Sequence, residues 1–314
     1  MAPLTFLAVA LAFVAAASGA NVKVFNFARD PSLAAAEPSI FAWAPLGLDK
    51  TFVPSTDDQI VGGKDAKRNQ FPHQASMQVS VPGYPKPQHI CGGTLIADTW
   101  VLTAAHCVYG VPSFATGVSV VLGITSLTKD DGQRLTVEQA MVHAQYDPQA
   151  NVGPYDIALL KLKGKAQLNK GVKIAQLPKA NAIPKGKAIL SGWGSTSQDG
   201  DHPVYPDKLQ TLDFPVVDFK TCYDYITDIS PKEPNPLTDT NLCVGDLKKT
   251  GLSSCSGDSG GPLIQKDGWF GEKTVVVGVV SWGLKNCGSI PFPSVFTRVS
   301  AYNEWINLIM KNYQ

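Results

Sequence analysis

Short segments rich in β-branched residues recur along this chain between turn-forming residues, and they limit the folds open to it. The 314 residues include 28 Gly and 23 Pro, so turns are plentiful. β-Branched side chains suit pleated strands. Segments of this kind lie at 75–81, 118–122, 188–190 and 274–280. Short strands bounded by turns are typical of packed barrels, so the pattern predicts an all-β protein.

One helix is predicted, at the end of the chain over residues 300–312. Ser300 is placed to cap its first turn. Four large apolar side chains then repeat at helical spacing and share one face: Tyr302, Trp305, Ile306 and Ile309.

Composition and the first residues exclude some classes of partner. A formal net charge of +1 gives no reason to expect nucleic acid. The apolar run from Leu4 to Ala17 is shorter than a membrane-spanning helix needs, and no later run is longer. Small residues at Ser18 and Ala20 follow it, which is typical of a secretory signal peptide over residues 1–20. The protein is therefore expected to be secreted, without a membrane anchor.

A glycine-rich segment, SSCSGDSGGP at 253–262, holds the strongest chemical signal, Ser259. Glycines let the backbone approach a substrate closely, so the N–H groups of Gly257 and Ser259 are placed to converge on one oxygen. A serine hydroxyl is a poor nucleophile at neutral pH. It needs a general base, and the base needs a carboxylate to orient it.

His106 and Asp156 are the candidates for base and carboxylate. His106 lies in LTAAHC, where small residues and a cysteine would hold the ring on a rigid corner. Asp156 precedes the apolar run IALL, and a carboxylate buried there needs a partner. The imidazole of His106 would supply one.

Five motifs together resemble the chymotrypsin family of serine proteases, in that family's order of His, Asp and Ser. They are IVGG at 60–63, TAAHC at 103–107, DIALL at 156–160, GDSGGP at 257–262 and SWG at 281–283. The resemblance covers the chain from about residue 60 to its end. It implies that His106, Asp156 and Ser259 are catalytic, with Gly257 and Ser259 as the oxyanion hole.

The same resemblance implies two packed six-stranded antiparallel β-barrels with the catalytic cleft between them. The protease domain is expected over 60–314, with the first barrel at about 60–178 and the second at about 179–299. His106 and Asp156 would belong to the first barrel and Ser259 to the second.

Two other site classes do not fit. Residues 257–261 also match G-x-S-x-G of α/β-hydrolases, but that fold places its histidine after the serine. The last histidine here is His202, so chain order excludes that interpretation. No H-E-x-x-H or C-x-x-C pattern is present, and neither a metal nor a cofactor is expected.

Residues 21–59 are expected to be a prosegment. They hold no cysteine, so they would not stay covalently attached once cut. Two interpretations stand: a poorly ordered tail, or aromatic residues docked on the enzyme that keep it latent.

The resemblance implies that cleavage before Ile60 frees an ammonium group, which folds inward to pair with Asp258. Gln59 precedes that bond, so either the activating protease does not need Lys or Arg, or cutting occurs upstream and trimming follows.

Six cysteines lie beyond residue 60, and in a secreted chain an even number indicates disulfides. Spacing alone leaves several connectivities open. The resemblance implies the pairs Cys91–Cys107, Cys222–Cys243 and Cys255–Cys287.

The resemblance also locates the substrate pocket. Ser253 would form its floor, Ser281, Trp282 and Gly283 its wall, and Ser294 would narrow it. A neutral floor cannot pair with Lys or Arg, which favours cleavage after large apolar or aromatic residues. An elastase-like or broad preference remains the alternative.

The function expected is therefore a secreted serine endopeptidase made as a zymogen. Its partners would be protein or peptide substrates, an activating protease and protein protease inhibitors, and the enzyme would be monomeric. A catalytically inactive, secreted binding module is the alternative class. Such homologues lose a triad residue or an oxyanion glycine, and this chain keeps them.

Overall fold

A computed structural model describes residues 13–14, 22–26, 61–129, 132–150, 152–267 and 273–314. Apart from two short strands, the expected signal peptide and prosegment lie outside these residues, as do Gln59 and Ile60. The strands are β1 Phe13–Val14, β2 Val22–Asn26, β3 Lys64–Asp65, β4 Gln74–Ser80, β5 Gln88–Ala97, β6 Trp100–Thr103, β7 Gly117–Leu122, β8 Gln133–His143, β9 Ala158–Leu162, β10 Lys187–Gly192, β11 Gln210–Val217, β12 Asn241–Val244, β13 Pro262–Asp267, β14 Lys273–Trp282 and β15 Ser294–Arg298. The helices are α1 Ala105–Tyr109, α2 Phe219–Ile229, a 3₁₀ helix Val299–Tyr302 and α3 Asn303–Asn312.

The strands form two closed antiparallel barrels of six strands each, as predicted. In the first, the order is β8-β7-β4-β5-β6-β9, and pairing of β9 with β8 closes the cylinder. In the second, the order is β10-β13-β14-β15-β12-β11, closed by β11 on β10. The chain crosses between the barrels over residues 163–186. Closure leaves few strand edges open to solvent, which suits an all-β protein.

Two short additions extend the sheets. β3 pairs with β11 of the second barrel, so the chain touches that barrel before it builds the first. β2 pairs with β8 of the first barrel, and β1 pairs with β2. β2 falls within the expected prosegment, and the pairing shows that this part of it lies on the barrel.

All four predicted strand segments are strands in the structure. They correspond to β4, β7, β10 and β14. Apart from Val275, which is partly buried, the valines and leucines of these strands are buried almost completely, which is why the β-branched pattern was informative. Helix α2 was not predicted. Asp218 caps it by accepting a hydrogen bond from the Thr221 N–H at 3.0 Å, a local signal that the sequence does contain.

The final helix differs from the prediction at its start. Residues 299–302 form a 3₁₀ turn and α3 begins only at Asn303, so Ser300 is not the cap. The Ser300 hydroxyl instead donates to the Ala182 carbonyl at 2.6 Å and accepts from Arg298 at 2.8 Å. The predicted apolar face is correct, and Trp305, Ile306 and Ile309 pack into the core of the first barrel. The helix thus follows the second barrel in sequence but packs on the first.

The disulfides are those that the resemblance implied: Cys91–Cys107, Cys222–Cys243 and Cys255–Cys287. They close loops with sequence separations of 16, 21 and 32 residues. Loops of this size stabilise by roughly 3 kcal/mol each in the chain-entropy model. Within the part of the chain that the structure describes, no helix combines the length and apolar character needed to cross a membrane.

Candidate active site

Strand pairing in the first barrel brings His106 and Asp156 together. β6 pairs with β9 so that Thr103 lies opposite Ala158. His106 follows Thr103 by three residues, at the start of α1, and Asp156 precedes Ala158 by two residues, so both lie at the same end of the pair. The Asp156 Oδ2 is 2.8 Å from His106 Nδ1, and its Oδ1 accepts from the His106 backbone N–H at 2.9 Å. The carboxylate therefore holds both the ring and the backbone of the histidine.

Two residues of the second barrel hold Asp156 from the other side. The Ser281 hydroxyl donates to Asp156 Oδ2 at 2.6 Å. The Thr297 hydroxyl donates to the Asp156 backbone carbonyl at 2.7 Å. Sequence reasoning placed Ser281 only in the substrate pocket and did not identify Thr297. No local pattern marks these bonds, because they join residues more than a hundred positions apart.

The close pairing shifts both pKa values. Burial lowers the pKa of His106, but the charge of Asp156 and its hydrogen bond outweigh burial, and the pKa is raised above 6.5. Burial acts to raise the pKa of Asp156. The charge of His106 and the hydrogen bonds from His106 and Ser281 nevertheless hold it below its usual range. The carboxylate is thus ionised at neutral pH and fixes the ring through Nδ1.

Tyr155, directly before Asp156, has an unusual backbone. Its φ is 64°, a left-handed conformation that costs a non-glycine residue roughly 1–2 kcal/mol. The Tyr155 N–H donates to the Tyr302 hydroxyl at 3.0 Å. Its ring stacks on His143, with centroids 4.8 Å apart and planes at 12°. These contacts hold Tyr155 in its strained conformation and set the direction of the backbone that leads into Asp156. They were not predicted from the sequence.

The Ser259 segment lies directly against the His106 segment. The Gly92 N–H donates to the Ser259 carbonyl at 2.8 Å. A Cβ added at Gly260 would lie only 2.2 Å from the Thr103 hydroxyl and 3.0 Å from the Cys107 sulfur. The residue after the serine and the residue after the histidine are therefore in contact. Only a glycine allows this approach.

Internal hydrogen bonds fix the backbone on both sides of Gly257. Gly257 has φ 97°, which a side chain would disfavour. The Ser256 carbonyl accepts from the Ser195 N–H at 2.7 Å, and the Asp258 carbonyl accepts from the Gly261 N–H at 2.8 Å. In a planar trans peptide the N–H points opposite to the carbonyl. The N–H groups of Gly257 and Ser259 therefore point away from these internal bonds.

Asp258 is fully buried beneath this loop. Its two oxygens accept from the N–H groups of Gly194, at 2.9 Å, and Cys255, at 3.0 Å. Burial raises the pKa of Asp258 to about 6, although these two hydrogen bonds oppose the rise. Val61 is buried against the Cys255–Cys287 disulfide, so the chain just after Ile60 packs close to the Asp258 loop. Ile60 itself lies outside the described residues.

His89 supports the same loop. One ring nitrogen is 2.8 Å from the Ser76 hydroxyl and the other is 3.1 Å from the Gly257 carbonyl. Burial lowers the pKa of His89 to about 4, so the ring is neutral at pH 7. A neutral ring that donates to Gly257 helps to fix the orientation of the Gly257–Asp258 peptide.

Hydroxyl groups form the buried end of the expected substrate pocket. Ser253 and Ser294 are 5% and 2% exposed. The Ser294 hydroxyl accepts from the Ser254 N–H at 3.0 Å and lies 3.4 Å from the Ser253 hydroxyl, which donates to the Ser254 carbonyl at 2.7 Å. At Gly283 nothing lies within 4 Å of an added Cβ. Trp282 is half-buried and packs on the cluster around Val295.

One group of potential metal ligands occurs at this site. The side-chain atoms of Cys91, His106 and Cys107 lie within 4.8 Å of one another. Both sulfurs belong to one disulfide, so they offer no thiolate to a metal.

Two β-barrels with a hydrogen-bonded His–Asp pair on one and a serine in a glycine-rich loop on the other define the chymotrypsin-type serine endopeptidases. The chain belongs to the trypsin family, whose family model, described as Trypsin, matches residues 60–306. It is similar to Trypsin I-P1 of Gallus gallus, with 36% identity over 258 residues, 82% of this chain and 91% of the relative. Trypsin-1 of Astacus astacus is 35% identical over 250 residues, which are 79% of this chain and 98% of the relative.

An elastase matches equally well. Chymotrypsin-like elastase family member 1 of Felis catus is 37% identical over 263 residues, which are 82% of this chain and 91% of the relative. The relatives thus carry names of different specificity, trypsin and elastase, at similar identity. The chain is a serine endopeptidase, a hydrolase whose substrates are proteins, and its specificity must be inferred from its own pocket.

Proposed function

We propose that His106, Asp156 and Ser259 form the catalytic triad of a secreted, chymotrypsin-like endopeptidase. The observation that carries this proposal is the 2.8 Å bond between Asp156 and His106 Nδ1. Beside it, Gly260, which follows Ser259, packs against Thr103 and Cys107. Because Asp156 holds Nδ1, Nε2 is the nitrogen that acts on Ser259.

The reaction proceeds through an acyl-enzyme. His106 takes the proton of the Ser259 hydroxyl as its oxygen attacks the substrate carbonyl, and Asp156 stabilises the imidazolium that forms. The N–H groups of Gly257 and Ser259 bind the oxyanion, each contributing roughly 10²–10³-fold. His106 then protonates the leaving amine. Water repeats the same steps on the ester, which restores the Ser259 hydroxyl and releases the acid.

The enzyme is proposed to be made as a zymogen. Cleavage before Ile60, by an activating protease that accepts Gln59 or by cutting upstream and trimming, would free an ammonium group. Its charge would pair with Asp258, whose burial without a cation is unfavourable, and so hold the Gly257 and Ser259 amides in place. Activity should then fall at alkaline pH as that ammonium loses its proton. Three disulfides support secretion, because such bonds persist in oxidising compartments.

The pocket favours large apolar or aromatic residues before the scissile bond. Ser253 and Ser294 place hydroxyls, not a carboxylate, at its buried end, so a Lys or Arg side chain would lack a countercharge. The open space at Gly283 admits a ring. Ser294 supports the alternative, an elastase-like or broad preference, because its side chain occupies pocket volume. Protein protease inhibitors would bind the same cleft, and the enzyme is proposed to act as a monomer.

Two experiments test these proposals. The processed protein should be labelled at Ser259 by a serine-directed phosphonate. Absence of labelling would favour the alternative class, an inactive homologue that acts as a binding module. Peptides that differ only in the residue before the scissile bond should be cut fastest after Phe, Tyr, Trp or Leu. Fastest cleavage after Ala or Val would support the elastase-like alternative, and after Lys or Arg it would refute the pocket argument.

A further inference from the structure

Among the residues that the structure describes, part of one edge of strand β8 is covered by β2, which belongs to the expected prosegment. The first residues of β8, 133–136, pair with β7, and its later residues pair with β9 on the opposite edge. Beyond Thr136 the edge that β7 occupied is taken by β2. The register runs from Val22 opposite His143 to Asn26 opposite Gln139. An open strand edge is a ready template for another strand, and here the occupant is a segment of the same chain.

Both faces of β2 are in contact with the enzyme. Val22 and Val24 are 1% and 7% exposed and belong to the core of the first barrel. Phe25 packs edge-on against Tyr109, with centroids 5.0 Å apart. Burial on this scale, together with ladder hydrogen bonds, is the basis of strand addition as a mode of peptide binding.

The contacts of the other face reach the helix that carries His106. Tyr109 is the last residue of α1, and its ring lies 5.5 Å from that of Tyr146. Lys23 donates to the Tyr146 carbonyl at 3.3 Å and lies 5.9 Å from the centre of the Tyr109 ring. The strand is thus braced against α1, and none of these contacts involves Ser253 or Ser294 at the end of the pocket.

We propose that residues 22–26 stay bound to the enzyme after activation, as a non-covalent edge strand that supports the His106 helix. The inference rests on the proposed cleavage before Ile60, which separates the prosegment from the protease domain without touching β2. Because its contacts lie at α1 and β8, the strand acts as a support and not as a plug in the cleft. The prosegment therefore becomes a second chain of the mature enzyme.

Retention can be measured on the full-length protein. Ser55→Asp, Thr56→Asp and Gln59→Lys create an enteropeptidase site before Ile60, and Ser259→Ala prevents autolysis. After cleavage, size-exclusion chromatography and mass spectrometry should find the prosegment fragment with the 60–314 chain in equal amounts. Val24→Asp, which buries an unpaired carboxylate, should reduce retention at least about tenfold. Val53→Asp, the same change in the prosegment outside β2, should retain the fragment fully.

Hydrogen exchange gives a second measurement at the edge itself. Amides of residues 139–143 should exchange equally slowly before and after cleavage, and faster in the Val24→Asp protein. Should Val24→Asp prevent folding, Phe25→Ala removes only the Tyr109 contact and should give partial release. Release of the wild-type fragment on cleavage, or faster exchange at 139–143 after cleavage than before it, would overturn the proposal.

Activity separates support from inhibition. With Ser259 present, the cleaved Val24→Asp enzyme should have lower kcat/KM than the Val53→Asp control. A higher value would show that the strand inhibits, which contradicts the proposal. The retention assay uses the Ser259→Ala protein, so it is independent of the proposed catalysis. Retention without any gain in phosphonate labelling of the Ser259 protein after cleavage would refute the proposed activation and leave this inference intact.

Discussion

Removing one oxygen atom, by Tyr302→Phe, should impair catalysis without touching any residue of the proposed triad. The Tyr302 hydroxyl accepts the N–H of Tyr155 at 3.0 Å. Without it, a partly buried N–H loses its partner, which costs about 1–3 kcal/mol of folding free energy. The same bond holds Tyr155 at φ 64°, directly before Asp156. We therefore expect the carboxylate to lose part of its alignment with His106.

The size of the catalytic effect follows from that alignment. If about 1 kcal/mol of the stabilisation of the imidazolium is lost, kcat/KM falls about fivefold. Asp156 raises the pKa of His106, so weaker pairing lowers it. Since the general base must be neutral, activity is lost as pH falls through this pKa. The acid limb of the kcat/KM profile should therefore move to lower pH.

Thr240→Ala is the matched control. The Thr240 hydroxyl interacts with the same Tyr302 hydroxyl and lies 2.8 Å from the Thr238 hydroxyl. This variant therefore loses polar contacts beside Tyr302 but keeps the bond from Tyr155. Urea unfolding of each variant in the Ser259→Ala background gives the stability, and pH-resolved kcat/KM in the active background gives the catalytic effect. Equal losses of kcat/KM in both variants, with an unmoved acid limb, would show that Tyr302 acts through stability alone.

Three further predictions concern the site directly. Asp156→Asn should lower kcat by about 10⁴-fold, as this change does in the chymotrypsin-type triad. It should also move the acid limb of the kcat/KM profile to lower pH, because it removes the charge that raises the pKa of His106. Full activity in that variant would exclude the triad. Asp258→Asn should leave cleavage before Ile60 intact but reduce kcat/KM at least about 100-fold, through disordered oxyanion donors; N-terminal sequencing with active-site titration checks both. Ser294→Gly should raise kcat/KM for Trp relative to Ala substrates by roughly tenfold, and an unchanged ratio would mean that Ser294 does not limit the pocket.

Chemistry that needs particular residue types could be predicted from the sequence. Few residues in the chain could fill each role: the candidates are a serine among glycines, a histidine on a corner of small residues and an acid before an apolar run. The structure brings the segments that hold these three residues together. The strand segments were found for the same reason, since burial on a pleated sheet selects β-branched residues.

Contacts made across the barrels could not be predicted. The bonds from Ser281 and Thr297 to Asp156 depend on how two separately patterned barrels meet. Ser300 was wrongly expected to cap α3 because capping is a local rule, and here a tertiary contact with Ala182 takes the hydroxyl. β2 was not predicted, because its partner β8 lies more than a hundred positions away and only the β8 edge reveals its position.

Because Asp156 is bonded to residues of both barrels, the rate of peptide hydrolysis depends on how the two barrels pack against each other. Ser281 in β14 and Thr297 in β15 bind Asp156, which belongs to the first barrel. A slight separation of the two barrels would therefore misdirect the carboxylate, while the strand hydrogen bonds within each barrel stayed intact. On gradual heating, peptide hydrolysis should therefore fade before the far-ultraviolet circular dichroism of the strands changes.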